Sequence, residues 1–182
     1  MPSEFEIRPI KEIDGVLSLE FPTHSDSRGV FQKIYGNSVG LAQMISLRQV
    51  NISSNPKTGT LRGMHFQIPP FHEYKLVTCI QGKVFDVLVD LRPDSQTYKS
   101  WFGTVLTAEE SGILVPPMVA HGYQTLEVNT TLLYLHSADY SSSHSRGLNP
   151  FDSTIGIRWP IDVTEISFDD QNLPFFQEII GP

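Results

Sequence analysis

Cysteine is nearly absent from this chain of 182 residues: Cys79 is the only one. No internal disulfide can form, so the fold must rest on a packed core rather than on covalent staples. Cys79 sits in the apolar run Leu76-Val77-Thr78-Cys79-Ile80, where it reads as a buried small hydrophobe in a reducing compartment, with a reactive thiol as the alternative. An excess of positive charge is also missing. The balance of 13 Lys and Arg against 20 Asp and Glu gives a net charge of -7, which argues against gripping nucleic acid or an anionic membrane through an extended basic surface. It leaves room for a small anionic ligand in a locally basic pocket. No apolar run approaches the length of a membrane span, and the N-terminal MPSEFEIRPIKEIDG lacks the apolar core of a signal peptide. These absences give the expectation of a cytoplasmic protein, with one domain over residues 1–182.

What is present is a turn-rich, moderately hydrophobic sequence, with 40% hydrophobic residues, 13 Gly and 13 Pro. Residues 16–21 alternate, with Leu17, Leu19 and Phe21 on one face and Ser18 and Glu20 on the other, the period of a half-buried strand. Asp26-Ser27-Arg28-Gly29 is a turn leading into a strand over residues 30–35, and residues 38–44 suit a short helix. Further strands are expected at 45–53, 60–67, 75–80, 83–92, 101–107, 113–115, 122–127 and 131–137. So many short strands predict a sandwich or barrel. Gln81-Gly82 reads as a tight hairpin turn, and Pro69-Pro70 and Pro116-Pro117 mark loops. A short helix is expected near residues 175–180.

Three strands carry side chains with chemical potential. Alternation puts Gln49, Asn51 and Ser53 on one face, which either faces water or lines a pocket. Leu61-Arg62-Gly63-Met64-His65-Phe66-Gln67 sets a guanidinium and an imidazole in an otherwise apolar strand. Strict alternation would put Arg62 and His65 on opposite faces, whereas a bulge at Gly63 would re-aim one of them. Lys75 and Tyr134 stand in mainly apolar strands, where a snorkelling lysine and a core tyrosine are the plain alternatives.

Six histidines make a metal site worth weighing, since His65, His72, His121 and His136 fall in strand or loop regions with Glu73 nearby. Metal-binding cupins resemble this outline, with a His-x-His pair and a later Pro-x-Gly-x-x-His turn. Here His65-Phe66-Gln67 has Gln67 in place of the second histidine, and the turn ending at His121 has Met118 in place of glycine. Two remaining ligands are too few for a tight transition-metal site, so a metal-dependent oxygenase or isomerase ranks second.

Several motifs in order resemble one family, the dTDP-4-dehydrorhamnose 3,5-epimerases. They are DSRGVF at 26–31, QVNIS at 49–53, LRGMHFQ at 61–67, KLV at 75–77, GKVFDVLVDLR at 82–92, AHGYQTL at 120–126 and IGIRWP at 155–160. The resemblance spans residues 15–174. It implies an all-β, jelly-roll β-sandwich of the cupin type with a few short helices, usually a homodimer in which strands cross between subunits. It implies an enzyme without metal or organic cofactor, whose substrate is a nucleoside diphosphate 4-keto-6-deoxyhexose, as in dTDP-L-rhamnose biosynthesis. The C4 ketone acidifies its neighbouring carbons, so a base can remove a proton and the enolate can be reprotonated from the opposite face. By resemblance His65 is the base, oriented by Asp170, with Asp169 leaving a one-residue ambiguity; Tyr134 is the acid, and a lowered pKa would help it. Lys75 would stand near the C4 oxygen, Arg28 and Arg62 would hold the diphosphate, and Gln32, Gln49, Asn51 and His121 match site-lining positions.

The sequence also departs from the family pattern. Gln32 replaces a glutamate, Asp169 takes the place of a positively charged residue, and Ser145 and Pro150 stand near places where the family often has glutamate and tryptophan. The reaction class is thus carried by more of the motif than the named substrate is. Epimerisation at C3 and C5 leads, epimerisation at one of them on another 4-keto sugar nucleotide is the rival, and a catalytically silent sugar-nucleotide binder is a third reading.

Overall fold

The computed structural model describes residues 4–36, 45–108 and 111–179. The helix expected at 38–44 lies outside the described residues. Two sheets face each other. The first runs in the order β1 (Glu6–Pro9), β2 (Leu17–Glu20), β10 (Ser111–Val115), β7 (Lys75–Gln81), β12 (Thr130–His136), β5 (Gln49–Asn55). The second runs β13 (Ser145–Gly147), β6 (Thr60–Gln67), β11 (Val119–Thr125), β8 (Lys83–Asp90), β9 (Trp101–Thr107). A short strand β14 (Glu165–Ile166) adds to β6 in parallel; the other pairings are antiparallel. A separate hairpin of β3 (Thr23–Asp26) and β4 (Gly29–Gln32) turns at residues 26–29. The fold is the expected all-β jelly roll, with two short helices among the described residues, α1 (Phe168–Gln171) and α2 (Phe176–Ile179).

Inward side chains of both sheets make the central core. Val77, Cys79, Ile113 and Leu132 from the first sheet meet Val84, Leu88, Val119 and Tyr123 from the second. The outer faces are buried too. Leu19, Leu76, Leu114 and Leu135 lie under Phe5, Phe21 and Ile45, while Met64, Phe66, Val87 and Val89 lie under Leu148, Ile155 and Phe176. This is why so many strands read as continuous apolar runs: with both faces covered, the period of two is lost.

One turn expectation is corrected. Gln81-Gly82 does not close a hairpin, because β7 pairs with β10 and β12 whereas β8 pairs with β9 and β11. The chain changes sheets there. Gly82 has φ +76° and a Cβ on it would lie 2.4 Å from the Thr130 hydroxyl, so the corner needs both the left-handed backbone and the missing side chain. The strand expected at 45–53 begins later, at Gln49, and ends at Asn55. The four short strands β1, β3, β13 and β14 were not expected, since two to four residues are too few to show a period. Among the described residues no helix is long and apolar enough to cross a membrane.

At the end of β8 the fully buried Asp90 carboxylate receives Arg92 Nε at 2.8 Å and Nη2 at 2.8 Å, with the Ser95 and Thr97 hydroxyls. Burial pushes its pKa up, but these hydrogen bonds outweigh burial and hold it at about 2. A depressed carboxylate contributes stability that is present above its unfolded value of about 3.9 and is lost as pH falls through the folded value. The linkage amounts to about 2 kcal/mol. Asp90→Asn should therefore lower stability at pH 7 by about that much and flatten the loss between about pH 4 and pH 2; denaturant titrations at several pH values check both.

Candidate active site

Gly63 shapes the first wall. On β11 His121 faces His65 and Tyr123 faces Arg62, so three steps along β6 match two along β11. The extra residue is the bulge that the glycine suggested. Gly63 has φ +114°, and a Cβ there would sit 2.6 Å from Gly122 Cα and 2.8 Å from the His121 carbonyl oxygen. Only glycine lets β6 and β11 approach so closely. As a result Arg62 and His65 both emerge from a strand whose other members are buried, and both line one cavity of about 1010 Å³ between the sheets.

The C-terminal segment delivers a carboxylate to that wall. β14 lies alongside β6, Ser167 caps α1 by accepting from the Asp170 N–H, and Asn149 holds the far end through the Gln171 and Leu173 carbonyls. Asp170 is thereby buried beside His65, with Oδ1 2.8 Å from His65 Nε2 and Oδ2 accepting the Gly63 N–H at 3.0 Å. This settles the choice between neighbouring aspartates for Asp170. Burial raises its pKa, but the hydrogen bonds from His65, Gly63 and Ser167 and the charge of His65 outweigh that and lower it. A carboxylate can only accept, so Nε2 of a neutral His65 carries the hydrogen and Nδ1 keeps its lone pair.

The first sheet supplies the opposite wall. Lys75 is buried, with Nζ 3.6 Å from Glu73 Oε1, and burial pulls its pKa down although Glu73 and Asp86 oppose this. Tyr134 sits beside the His121 ring, centroids 5.9 Å apart. On β11 the Tyr123 hydroxyl meets Ser53 Oγ at 2.7 Å and Asn55 Nδ2 at 3.1 Å. Burial, reinforced by Tyr123 and Asp86, pushes Tyr134 well above the usual phenol range, the opposite direction from the lowering that would help an acid. Tyr134 is a phenol at every physiological pH. His121 Nε2 lies 2.6 Å from Asp86 Oδ1 in full burial.

His65, Lys75, Tyr134 and Asp170 thus line a single cavity, together with Asn51, Arg62 and His121. Arg62 is steadied by Nε donating to Asn55 Oδ1 at 2.9 Å. Gln49 faces a smaller adjoining cavity of about 80 Å³, donating to Asn51 and accepting from the Tyr140 N–H. Arg28 and Gln32 line neither cavity. Both lie on the β3–β4 hairpin, where Arg28 pairs with Asp26 and has a side chain 88% exposed, and Gln32 donates to Thr23. Among the described residues the hairpin's strands pair only with each other, and that pairing does not bring these two side chains to the cavity of the same chain.

Sequence reasoning weighed Glu73 and His136 only for a metal site and missed Tyr123 and Arg146 in the lining. Tyr123 and His136 stand two residues beyond His121 and Tyr134 in the same strands, so alternation could have found them. Arg146 belongs to the departing loop, where the family pattern gave no guide. Among the described residues no group of three or more His, Cys, Asp or Glu side chains could hold a metal ion; the cavity histidines instead each meet a carboxylate.

Comparison with known proteins agrees with this geometry. The model of the dTDP-4-dehydrorhamnose 3,5-epimerase family matches residues 11–178. A dTDP-4-dehydrorhamnose 3,5-epimerase of Sinorhizobium fredii is 39% identical over 158 residues, 85% of this chain and 81% of that relative. A dTDP-4-dehydrorhamnose 3-epimerase of Streptomyces niveus is 34% identical over 170 residues, 91% of this chain and 81% of that relative. Among solved structures, the 3,5-epimerase of Bacillus anthracis with TDP and pyrophosphate bound superposes with a TM-score of 0.88 at 34% identity, covering 94% of this chain and 99% of that one. With the family model covering nearly the whole chain and a His–Asp pair, a buried lysine and a half-buried tyrosine lining one inter-sheet cavity, this chain belongs to the dTDP-4-dehydrorhamnose 3,5-epimerase family.

Proposed function

We propose that this protein epimerises a dTDP-linked 4-keto-6-deoxyhexose at C3 and C5. The observation that carries the reading is the His65–Asp170 pair on one sheet, lining the same cavity as Lys75 and Tyr134 on the other. The Nδ1 lone pair of His65 takes the proton from the carbon beside the ketone. Asp170 steadies the imidazolium that forms. The electron pair released moves onto the C4 oxygen, where the Lys75 ammonium stabilises the enolate. Tyr134, held as a phenol by its buried setting, delivers a proton to the other face of that carbon, and exchange with solvent returns His65 and Tyr134 to their starting states. Arg62 and Arg146 supply positive charge for the diphosphate. The whole chain acts as one catalytic domain, and the lone buried Cys79 suits a reducing, cytoplasmic setting.

One observation favours the single-centre rival. The departing loop lends Ser145, Arg146 and Gly147 to the cavity wall, so the sugar can be seated differently from that in a two-centre enzyme.

The second part of the proposal is a homodimer. Val30 and Phe31 on the hairpin are 69% and 73% exposed, and Val50 and Ile52 on the edge strand β5 are 52% and 63% exposed. Apolar residues on an unpaired edge call for a cover. A partner subunit laid there lets each hairpin carry Arg28 to the other chain's cavity.

Incubation with dTDP-4-keto-6-deoxyglucose in heavy water, followed by proton NMR, should show loss of both the C3 and C5 signals; loss of one alone selects the rival. His65→Ala should abolish exchange while leaving dTDP binding within a few fold, and exchange that persists removes His65 from the role of base. Asp170→Asn, which keeps the shape but loses the charge, should lower kcat by about 10²- to 10⁴-fold. For the dimer, Arg28→Ala and His65→Ala proteins, each inactive, should regain about a quarter of wild-type activity once their subunits are reassorted, since half of the dimers then hold one complete site. No recovery would mean that Arg28 does not act in the other chain's site.

A further inference from the structure

Glu73, Lys75 and His136 form an interlocked cluster of which the reaction above uses only Lys75. The Glu73 side chain is 7% exposed and bridges two basic groups: Oε1 lies 3.6 Å from Lys75 Nζ and Oε2 lies 2.9 Å from His136 Nδ1. The other ring nitrogen of His136 is 3.4 Å from Asn51 Nδ2, and the ring stacks on Tyr134 with centroids 5.9 Å apart and planes inclined by 17°. Since the carboxylate only accepts, Nδ1 of a neutral His136 donates to it, and Nε2 then accepts from the Asn51 amide. A neutral imidazole satisfies every one of these contacts. The negative charge of Glu73 is left to serve Lys75 alone.

The surroundings of Lys75 offer few substitutes. Across β10 it faces Val115. On β12 its neighbours are His136, its register partner, and Tyr134. From the second sheet, Asp86 adds a weaker favourable charge, and Arg62, His65, His121 and Tyr123 share the cavity. Of these His65 and His121 are each engaged by a carboxylate of their own. Glu73 is therefore the anion that keeps a buried lysine charged, and His136 is what holds that anion in place.

We propose that Glu73 and His136 are positioning residues: His136 clamps the Glu73 carboxylate, which fixes the ammonium state and place of Lys75, while the His136 ring backs Tyr134. The catalytic meaning rests on the reading that Lys75 stabilises the enolate oxygen. The coupling itself does not, so the two can be separated.

The test uses the full-length protein labelled with ¹³C at lysine Cε, with the Lys75 signal assigned by its loss in Lys75→Met. In Glu73→Gln the Lys75 titration should move down by about one pH unit or more. In the same variant kcat should fall about tenfold or more, with KM for the sugar nucleotide changed less than about threefold and the alkaline limb of kcat following the lysine titration. His136→Phe should shift the titration in the same direction, and His136→Gln, whose amide can still donate to Glu73, should restore it. A Lys75 titration unmoved in Glu73→Gln overturns the inference whatever the activity. A titration that moves while kcat stays sustains the coupling and overturns the enolate role of Lys75. Should Glu73→Gln fail to fold, as judged by its melting transition, the His136→Phe titration decides in its place: an unmoved Lys75 overturns the clamp.

Discussion

Asp170 ties three parts of the chain together through one carboxylate. One oxygen meets His65 and the other takes the Gly63 N–H, while its own backbone N–H is capped by Ser167. The bond to Gly63 reaches a backbone group at the bulge, and the bulge is possible because Gly63 has no side chain to collide with the backbone of β11. The carboxylate arrives only because β14 runs beside β6 and because Phe176 and Ile155 anchor the C-terminal segment on the outer face of the second sheet. The segment is thus a structural cover and the source of the group that sets the His65 tautomer. A change in the cover reaches the cavity through a single side chain.

The cavity shows a second regularity. Each of three histidines in or beside it faces a carboxylate, His65 with Asp170, His121 with Asp86 and His136 with Glu73, and Glu73 serves Lys75 as well. Taking a charge out of water is costly unless a partner goes with it, so these pairs are what allow ionisable groups inside a sandwich whose remaining interior is Val, Leu and Ile. Because the partners are already in place, little reorganisation is needed when charge develops on a bound ligand. Tyr134 belongs to the same logic from the neutral side: burial disfavours the phenolate more than the charge of Arg62 favours it, so the proton stays on.

Much of this was legible in the sequence, and the failures have physical causes. The strands at 60–67 and 101–107 begin and end where their alternation and bounding turns say, because each has its own Gly, Pro or Ser stops. The bulge at Gly63 was legible because Arg62 and His65 have opposite parity in a strand with room for only one polar face. The change of sheet at Gly82 was not, since a glycine in a two-residue turn and a glycine at a sandwich corner look alike until pairing partners are known. The pairing of His65 with Asp170, 105 residues apart, came from family resemblance alone; no local pattern carries it. Glu73 and His136 were weighed only for a metal site, and their meeting at Lys75, which gives them another meaning, is not visible in the sequence.

Net charge and local charge part company in the same way. A chain with a net charge of -7 gathers Arg62, Lys75 and Arg146 around one cavity, and its acidic groups there are mostly spent on histidines. The edge of β5 is a comparable inversion. Its polar residues Asn51 and Ser53 line the cavity, yet Val50 and Ile52 also border it while remaining more than half exposed. In a monomer that arrangement wastes apolar surface on an edge open to further pairing. The proposed dimer removes the difficulty, because the hairpin with Val30 and Phe31 offers apolar surface of the same kind, and it gives Arg28 a destination that its own chain does not provide. Two features that look like faults in one subunit, an exposed apolar edge and a stranded arginine, become one interface when a second copy is added.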